Sequence, residues 1–261
     1  MEIVILGSGN VAHCFGHLLE LQGHRIRQVI SRHTGHAQVL AERLNASYTD
    51  SPDEIWTGAD VYLLAVSDRA IAGLDGWLRL GKRIAVHTSG SIPLKAIANI
   101  SDNTGVLYPL QSLRRDIQQP AEIPVLVEAS DRITQTRLIT LAESISSRIE
   151  LVNSDRRMKL HLAGVICNNF TNYLFTLARD YCQAESLDFG LLKPLIQETF
   201  HRLERYDPAQ VQTGPAIRGD QITLEQHLEL LADHPGTQEV YQMLSDHISR
   251  YYALQGIDPE H

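Results

Sequence analysis

The sequence lacks what would suit it to nucleic acid, to a membrane or to a disulfide scaffold. Its 23 Lys and Arg are outnumbered by 31 Asp and Glu, a net charge of −8, so the basic excess that neutralises a phosphate backbone is missing. No apolar run approaches the roughly 20 residues that a membrane helix needs. The chain begins Met1-Glu2-Ile3-Val4, with neither a basic stretch nor a small-residue cleavage site. Only three cysteines occur, Cys14, Cys167 and Cys182, and none forms a C-x-x-C pair, which predicts buried thiols in a reducing compartment. Internal repeats and low-complexity tracts are absent. The expectation is a cytoplasmic protein with no nucleic-acid and no membrane partner, and 261 residues suffice for one large domain or two ordinary ones.

What is present changes character near residue 153. Before it, short β-branched runs alternate with helical stretches: 3–6, 26–30, 61–66, 84–86, 106–108, 124–127 and 149–152. That alternation predicts an α/β domain over residues 1–153, a Rossmann-type doubly wound parallel sheet. Beyond it only helix-period segments remain, at 154–183, 188–205, 223–233 and 236–254, which predicts an all-α domain over 154–261. Charge follows the same division: the first part holds 14 basic and 16 acidic side chains, the second 9 and 15.

The first run leads into Gly7-Ser8-Gly9-Asn10-Val11-Ala12, a G-x-G-x-x-A at a strand-to-helix junction. There Gly7 permits the tight turn, Gly9 lets a pyrophosphate approach the backbone, Ala12 lets helix and strand pack, and phosphates sit at the helix N-terminus. A site for NAD usually places a carboxylate about 20 residues further on, against the ribose 2′-hydroxyl. Between Glu20 and Glu42 there is no Asp or Glu, and the second strand ends Ile30-Ser31-Arg32-His33. A hydroxyl and a guanidinium suit a 2′-phosphate, so the spacing predicts NADP in preference to NAD, with a methyl donor as the chemical competitor. The bland alternative makes Arg32 a solvated surface cation.

Ligands of open α/β sheets lie beyond the carboxyl ends of the strands. Three such ends are polar and marked by Gly or Pro: Ala65-Val66-Ser67-Asp68, His87-Thr88-Ser89-Gly90-Ser91 and Pro109-Leu110-Gln111-Ser112. The first would border the cofactor; His87, Ser89, Gly90 and Gln111 would meet a small-molecule substrate, unless these are ordinary turns. His13 and His17 stand at the i, i+4 spacing of a zinc pair but lack a Glu between them and a third ligand, so no metal is expected.

With these segments, and with 160–170 and Thr213-Gly214-Pro215-Ala216-Ile217-Arg218-Gly219-Asp220, nearly the whole chain resembles a group of two-domain proteins. Their N-terminal domain is pyrroline-5-carboxylate-reductase-like or deazaflavin/NADP-oxidoreductase-like. Their helical domain, of unknown function, is related to the 6-phosphogluconate-dehydrogenase-like fold. The resemblance implies an NADP-dependent oxidoreductase, homodimeric through the helical domain, with no established substrate. Departures matter here. β-Hydroxyacid dehydrogenases place a catalytic Lys four residues before an Asn, whereas Lys159 is followed at that spacing by Ala163; and Ala163-Gly164-Val165-Ile166 is not the Ser/Gly-Gly-Pro stretch of pyrroline-5-carboxylate reductases.

The first helix of the second part is apolar nearly all round, which predicts burial in a core or a subunit interface. His161, Asn168, Asn169 and Asn172 interrupt it. At 100° per residue His161, Asn168 and Asn172 fall within ~40° of one another, with Asn169 ~80° and Lys159 ~160° from His161. His161 is therefore the candidate proton donor to a carbonyl or imine substrate. Helical arithmetic favours Asn168 as its companion, the family pattern favours Asn169, and Arg218 would orient a carboxylate. The rival reading is a non-catalytic NADP(H) sensor acting through its helical dimer surface, with the polar stripe merely structural.

Overall fold

Ile3, Val4, Ile5 and Leu6 are apolar on both alternating faces, and such a run is stable only where both faces of a sheet are covered. The computed structural model, which describes residues 1–116 and 122–255, covers them: each is at most 2% exposed. They form β1 (Glu2–Leu6), followed by α1 (Asn10–Leu21), β2 (Arg25–Ile30), α2 (Thr34–Arg43), β3 (Ser47–Thr49), β4 (Val61–Leu64), α3 (Asp68–Ile71), β5 (Gly81–His87), β6 (Ser101–Pro109), β7 (Val125–Ala129), α4 (Arg132–Glu143) and β8 (Ile149–Leu151). The sheet runs β3-β2-β1-β4-β5-β6-β7-β8, parallel throughout except where β6 meets β7. Helices α1, α2 and α4 pack on one face with Ile5, Leu63, Val86 and Val127; Val4, Tyr62, Leu64 and Ala85 face the other way, against Ile71 and Ile97. The chain winds outward in both directions from the β1–β4 pair, which makes the carboxyl ends of those two strands the crevice of the sheet.

One strand escapes the sequence pattern. β3 has three residues, two of them exposed, so it carries no buried run to announce it and sits at an edge where pairing is one-sided. The predicted run 61–66 ends at Leu64, because Ala65 and Val66 turn the chain toward α3.

The contacts divide the chain into the units Met1–Asn169 and Phe170–His261. The change from strands to helices falls at residue 153, but the first unit continues through α5 (Ser154–Gly164). Its helix start is capped by Asn153, whose side chain accepts from Arg156 N–H at 2.9 Å. Arg157 of α5 is wholly buried, pairs with Glu128 of β7 and donates to the Ile92 carbonyl. Ser154 N–H donates to Glu128 at 3.0 Å, and Leu94 N–H donates to the Ser154 hydroxyl at 3.0 Å. These bonds lock α5 onto the sheet, which is why the compact unit runs past the last strand.

A π-turn, Val165–Phe170, then interrupts the helix that the sequence reads as continuous, and α6 (Thr171–Ala184) follows. The second unit adds α7 (Lys193–Leu203), α8 (Pro215–Arg218), α9 (Gln221–Leu230) and α10 (Pro235–Gln255). Phe175 and Phe200 meet edge to face between α6 and α7, and Ser249 of α10 donates to the Ala216 carbonyl of α8 at 2.8 Å. Among its described residues few apolar side chains are buried: Cys182, Ala216, Leu224, Leu231 and Tyr252. The expected burial of the α5–α6 stretch is not met within the chain: Leu162, Ile166 and Phe170 are all more than half exposed. Cys167 is exposed in the π-turn, contrary to the expectation of three buried thiols, while Cys14 and Cys182 are buried. No helix among the described residues is long and apolar enough to cross a membrane.

Two buried polar groups give measurable consequences. Arg157→Leu leaves Glu128 without its cation; since Ser154 still donates to that carboxylate, the expected loss is about 3 kcal/mol in unfolding free energy, read from the urea midpoint. His87 is wholly buried, and burial, assisted by the Arg157 charge, pushes its imidazole down to about 3. From roughly pH 6.5 down to that value the unfolded chain binds a proton that the native protein does not, so acid costs stability at about 1.4 kcal/mol per pH unit. In His87→Asn the slope of unfolding free energy between about pH 6 and pH 4 is expected to be shallower by that amount. An unchanged slope means that native His87 takes up the proton.

Candidate functional site

Gly7 stands at the end of β1 with φ +118°, a conformation that favours glycine, and a Cβ there would lie 2.1 Å from the Ala65 carbonyl oxygen. Its N–H donates to the Ile30 carbonyl at 2.7 Å, so the turn joins the ends of β1, β2 and β4. The neighbouring glycine differs. A Cβ on Gly9 would meet nothing within 4 Å, and Gly9 is the cap residue of α1, which has no side-chain cap and no acidic residue in its first turn. The free N–H groups of that helix end point a partial positive charge outward, the arrangement that takes an anion.

A cavity of about 610 Å³ opens at this place, lined by Gly7, Ser8, Gly9, Ser31, Arg32, Ala65, Val66 and Ser67 among others. The Ser8 and Ser31 hydroxyls are 2.9 Å apart, which ties the glycine loop to the end of β2. Asn10 and Val11 open α1; the Asn10 side chain accepts from Arg115 N–H at 3.3 Å. The lining residues that the sequence reading missed include the ionisable His33, Asp50 and Arg69. Asp50 follows the unrecognised strand β3, and its carboxylate accepts from the Thr34 hydroxyl at 2.5 Å. The donors around the cavity thus include two guanidiniums against one carboxylate that is already engaged. An open glycine, an uncapped helix end and Ser31 with Arg32 fit a phosphorylated dinucleotide.

A second cluster lies beyond the ends of β5 and β6. Tyr108 Oη and His161 Nδ1 are 3.0 Å apart, with the two rings edge to face at 81°. Gly90 lies against both: a Cβ there would be 2.7 Å from His161 Nδ1 and 2.8 Å from Tyr108 Cζ. The reason for glycine at this position is therefore space, since its φ is ordinary. Ser91 Oγ donates to Asp68, which links this loop to the strand end bordering the first cavity. Tyr108 holds its proton more tightly than an ordinary phenol because it is buried, with the Asp68 carboxylate adding to the effect and Arg157 opposing it. The sequence offered one sign of this tyrosine, its place at the end of a strand before Pro109.

Several expected site residues have other work. His87 has no exposed surface; its Nδ1 accepts from Ser89 N–H at 3.2 Å, so it shapes the loop, and its Nε2 has no partner among the described residues. The Ser89 hydroxyl accepts from the N–H groups of Ser91 and Ile92, both at 3.1 Å, which closes the turn. Gln111 is exposed, with its oxygen accepting from Ser112 N–H at 2.9 Å. Asn168 and Asn169 lie exposed in the π-turn, whose wider winding puts the residues beyond it out of phase with those before it. The single stripe computed for a regular helix is therefore replaced by His161 on α5 and the two asparagines on the π-turn. Arg218 ends α8 in the second unit and is exposed, while Asp220 is the N-cap of α9 and accepts from Thr223 N–H at 3.1 Å.

Residues 2–86 match the family model "NADP oxidoreductase coenzyme F420-dependent", and residues 123–248 match the "Domain of unknown function (DUF2520)". Among solved structures, a proposed NADP oxidoreductase of Bacteroides fragilis is 36% identical, covers 95% of this chain and 98% of its own, and superposes with a TM-score of 0.90. A reductive aminase from Aspergillus terreus, in complex with NADPH and ethyl-5-oxohexanoate, is 14% identical over 95% of this chain and 92% of its own, with a TM-score of 0.73. A 1-pyrroline-5-carboxylate reductase from Streptococcus pyogenes is 15% identical over 96% and 98%, with a TM-score of 0.65. The last two share the fold. No curated protein matches the chain. With its glycine loop, its mostly parallel sheet and its helical second unit, the chain belongs to the family of NADP-oxidoreductase-like proteins that join a Rossmann domain to the DUF2520 helical domain.

Proposed function

We propose that this protein is an NADPH-dependent reductase acting on a small carbonyl or imine compound. The observation that carries the reading is the single cavity that combines the open Gly9, the uncapped start of α1, and Ser31 with Arg32. In this reading the N–H groups from Ser8 through Val11 hold the pyrophosphate above the Gly7 turn, Ser31 and Arg32 hold the 2′-phosphate, and Ala65, Val66 and Ser67 border the nicotinamide half. The bound dinucleotide supplies the hydride. His161 donates to the substrate atom on which negative charge develops, and the amides of Asn168 and Asn169 are the available companions on the π-turn.

A second copy of the chain is the proposed cover for the apolar side chains that the helical unit leaves exposed. Leu191 is 77% and Leu195 65% exposed, and Phe200, Leu203 and Tyr206 add to them, far more than a soluble monomer usually shows in one region.

Titration with NADPH and NADH tests the cofactor. Wild type is expected to prefer NADPH, and Arg32→Ala to weaken NADPH about 10- to 100-fold, the worth of a hydrogen bond to a charged group, with NADH unaffected. Gly9→Ala is expected to keep the wild-type melting temperature while losing NADPH affinity. Absence of binding to either nucleotide sinks the reductase reading; tight binding with no turnover on any carbonyl or imine leaves a nucleotide-sensing protein. Sedimentation tests the assembly: a dimer is expected for wild type and a monomer for Leu195→Glu, whereas a monomeric wild type refutes the proposed cover.

A further inference from the structure

His161 has two ring nitrogens, and the fold commits one of them. Tyr108 is fixed at the end of β6 by pairing with β7, where Tyr108 lies opposite Leu126. His161 is carried by α5, which the Arg157–Glu128 pair anchors to the same sheet. The two side chains meet in a space that Gly90 leaves free, at 3.0 Å between Oη and Nδ1. Burial and the Asp68 carboxylate keep the phenol protonated, so its O–H donates and Nδ1 accepts. A neutral imidazole that accepts at Nδ1 carries its proton at Nε2. Among the described residues Nε2 has no hydrogen-bond partner, and His161 is only partly buried.

We infer that Tyr108 is a positioning residue that fixes His161 as the Nε2–H tautomer, so that the site offers a hydrogen-bond donor and selects a carbonyl over a preformed iminium. This rests on the reductase reading for the substrate class, but not for the tautomer. The chemistry follows from what each group can receive. A carbonyl oxygen has lone pairs for the Nε2 proton and becomes more basic as hydride reaches its carbon, so the bond strengthens toward the transition state. A preformed iminium nitrogen has no lone pair to accept with. Neutral imidazole cannot part with the Nε2 proton alone, because imidazolate would be left. The phenol resolves this: as the carbonyl carbon gains a hydride and its oxygen gains the Nε2 proton, the Tyr108 proton passes to Nδ1. The alcohol is formed and the imidazole stays neutral throughout; the buried phenolate is short-lived, because it takes the Nδ1 proton back as Nε2 recovers one from water, which restores the starting tautomer.

The test is nitrogen NMR of the uniformly labelled protein, with His161→Gln used to assign the His161 ring. In wild type, Nδ1 is expected at the position of an unprotonated acceptor and Nε2 at that of a protonated nitrogen. In Tyr108→Phe, which removes one oxygen and keeps the ring, the two signals are expected to converge toward a tautomer mixture. A protonated Nδ1 in wild type, or an unchanged spectrum in Tyr108→Phe, overturns the positioning role; the wild-type spectrum alone decides if the variant does not fold. Turnover with NADPH on small ketones, aldehydes and cyclic imines is the second arm. Carbonyl reduction is expected to lead, and its kcat to fall at least tenfold in Tyr108→Phe while NADPH affinity holds. Imine turnover that leads and ignores the substitution overturns the substrate class. The expected tautomer with no turnover at all instead removes the reductase reading, and leaves the tautomer assignment standing.

Discussion

The approach of Gly7 to the Ala65 carbonyl is the constraint on which the sheet edge depends. Because no side chain separates them, the ends of β1 and β4 close on each other and α1 begins directly over the crevice between its flanking strands. Any Cβ would have to displace backbone, which cannot yield as a flexible side chain can. The geometry of the first cavity therefore follows from one missing methyl group and one positive φ.

The second cluster depends on a different device. The Arg157–Glu128 pair is buried and hydrogen-bonded on both sides, and such a pair contributes little net stability relative to apolar residues of the same volume. Its value lies in specificity: only one placement of α5 lets the two terminal nitrogens of the guanidinium reach the carboxylate and the Ile92 carbonyl while Ser154 donates to Glu128. That placement fixes His161 with respect to β6. An apolar contact of the same area would hold the helix to the sheet without choosing its rotation.

Much of this was legible in the sequence, and the failures have physical causes. The β-branched runs announced seven strands because each is an apolar run in the sequence, even the exposed edge strand β8; β3, short and without an apolar run, is not, and Asp50 was lost with it. The cofactor loop was legible because its glycines sit at a strand-to-helix junction. His87 looked like a ligand-binding residue because polar residues cluster after β5, but sequence cannot distinguish an imidazole that meets a substrate from one that organises its own turn. Regular helical arithmetic failed beyond Gly164 because a π-turn changes the winding, and nothing in Val165–Phe170 signals it. Tyr108 and His161, 53 positions apart, could be joined only by the tertiary fold, which brings the end of β6 and α5 within reach of each other.

Three glycines show how a residue's reason separates structure from function. Gly7 is required by the chain itself, through its φ and the carbonyl it faces. Gly90 is required by two side chains, Tyr108 and His161, so its constraint is inherited from whatever the pair does. Gly9 is required by nothing in the chain. Openness alone does not single it out, since Gly35 and Gly76 are equally unobstructed. What sets Gly9 apart is its place as the uncapped start of a twelve-residue helix, where free N–H groups face the space that a side chain would fill. A glycine that the fold does not need, at a helix end left unsatisfied, points to a group outside the polypeptide, and that group must be an anion to match the polarity of the helix end.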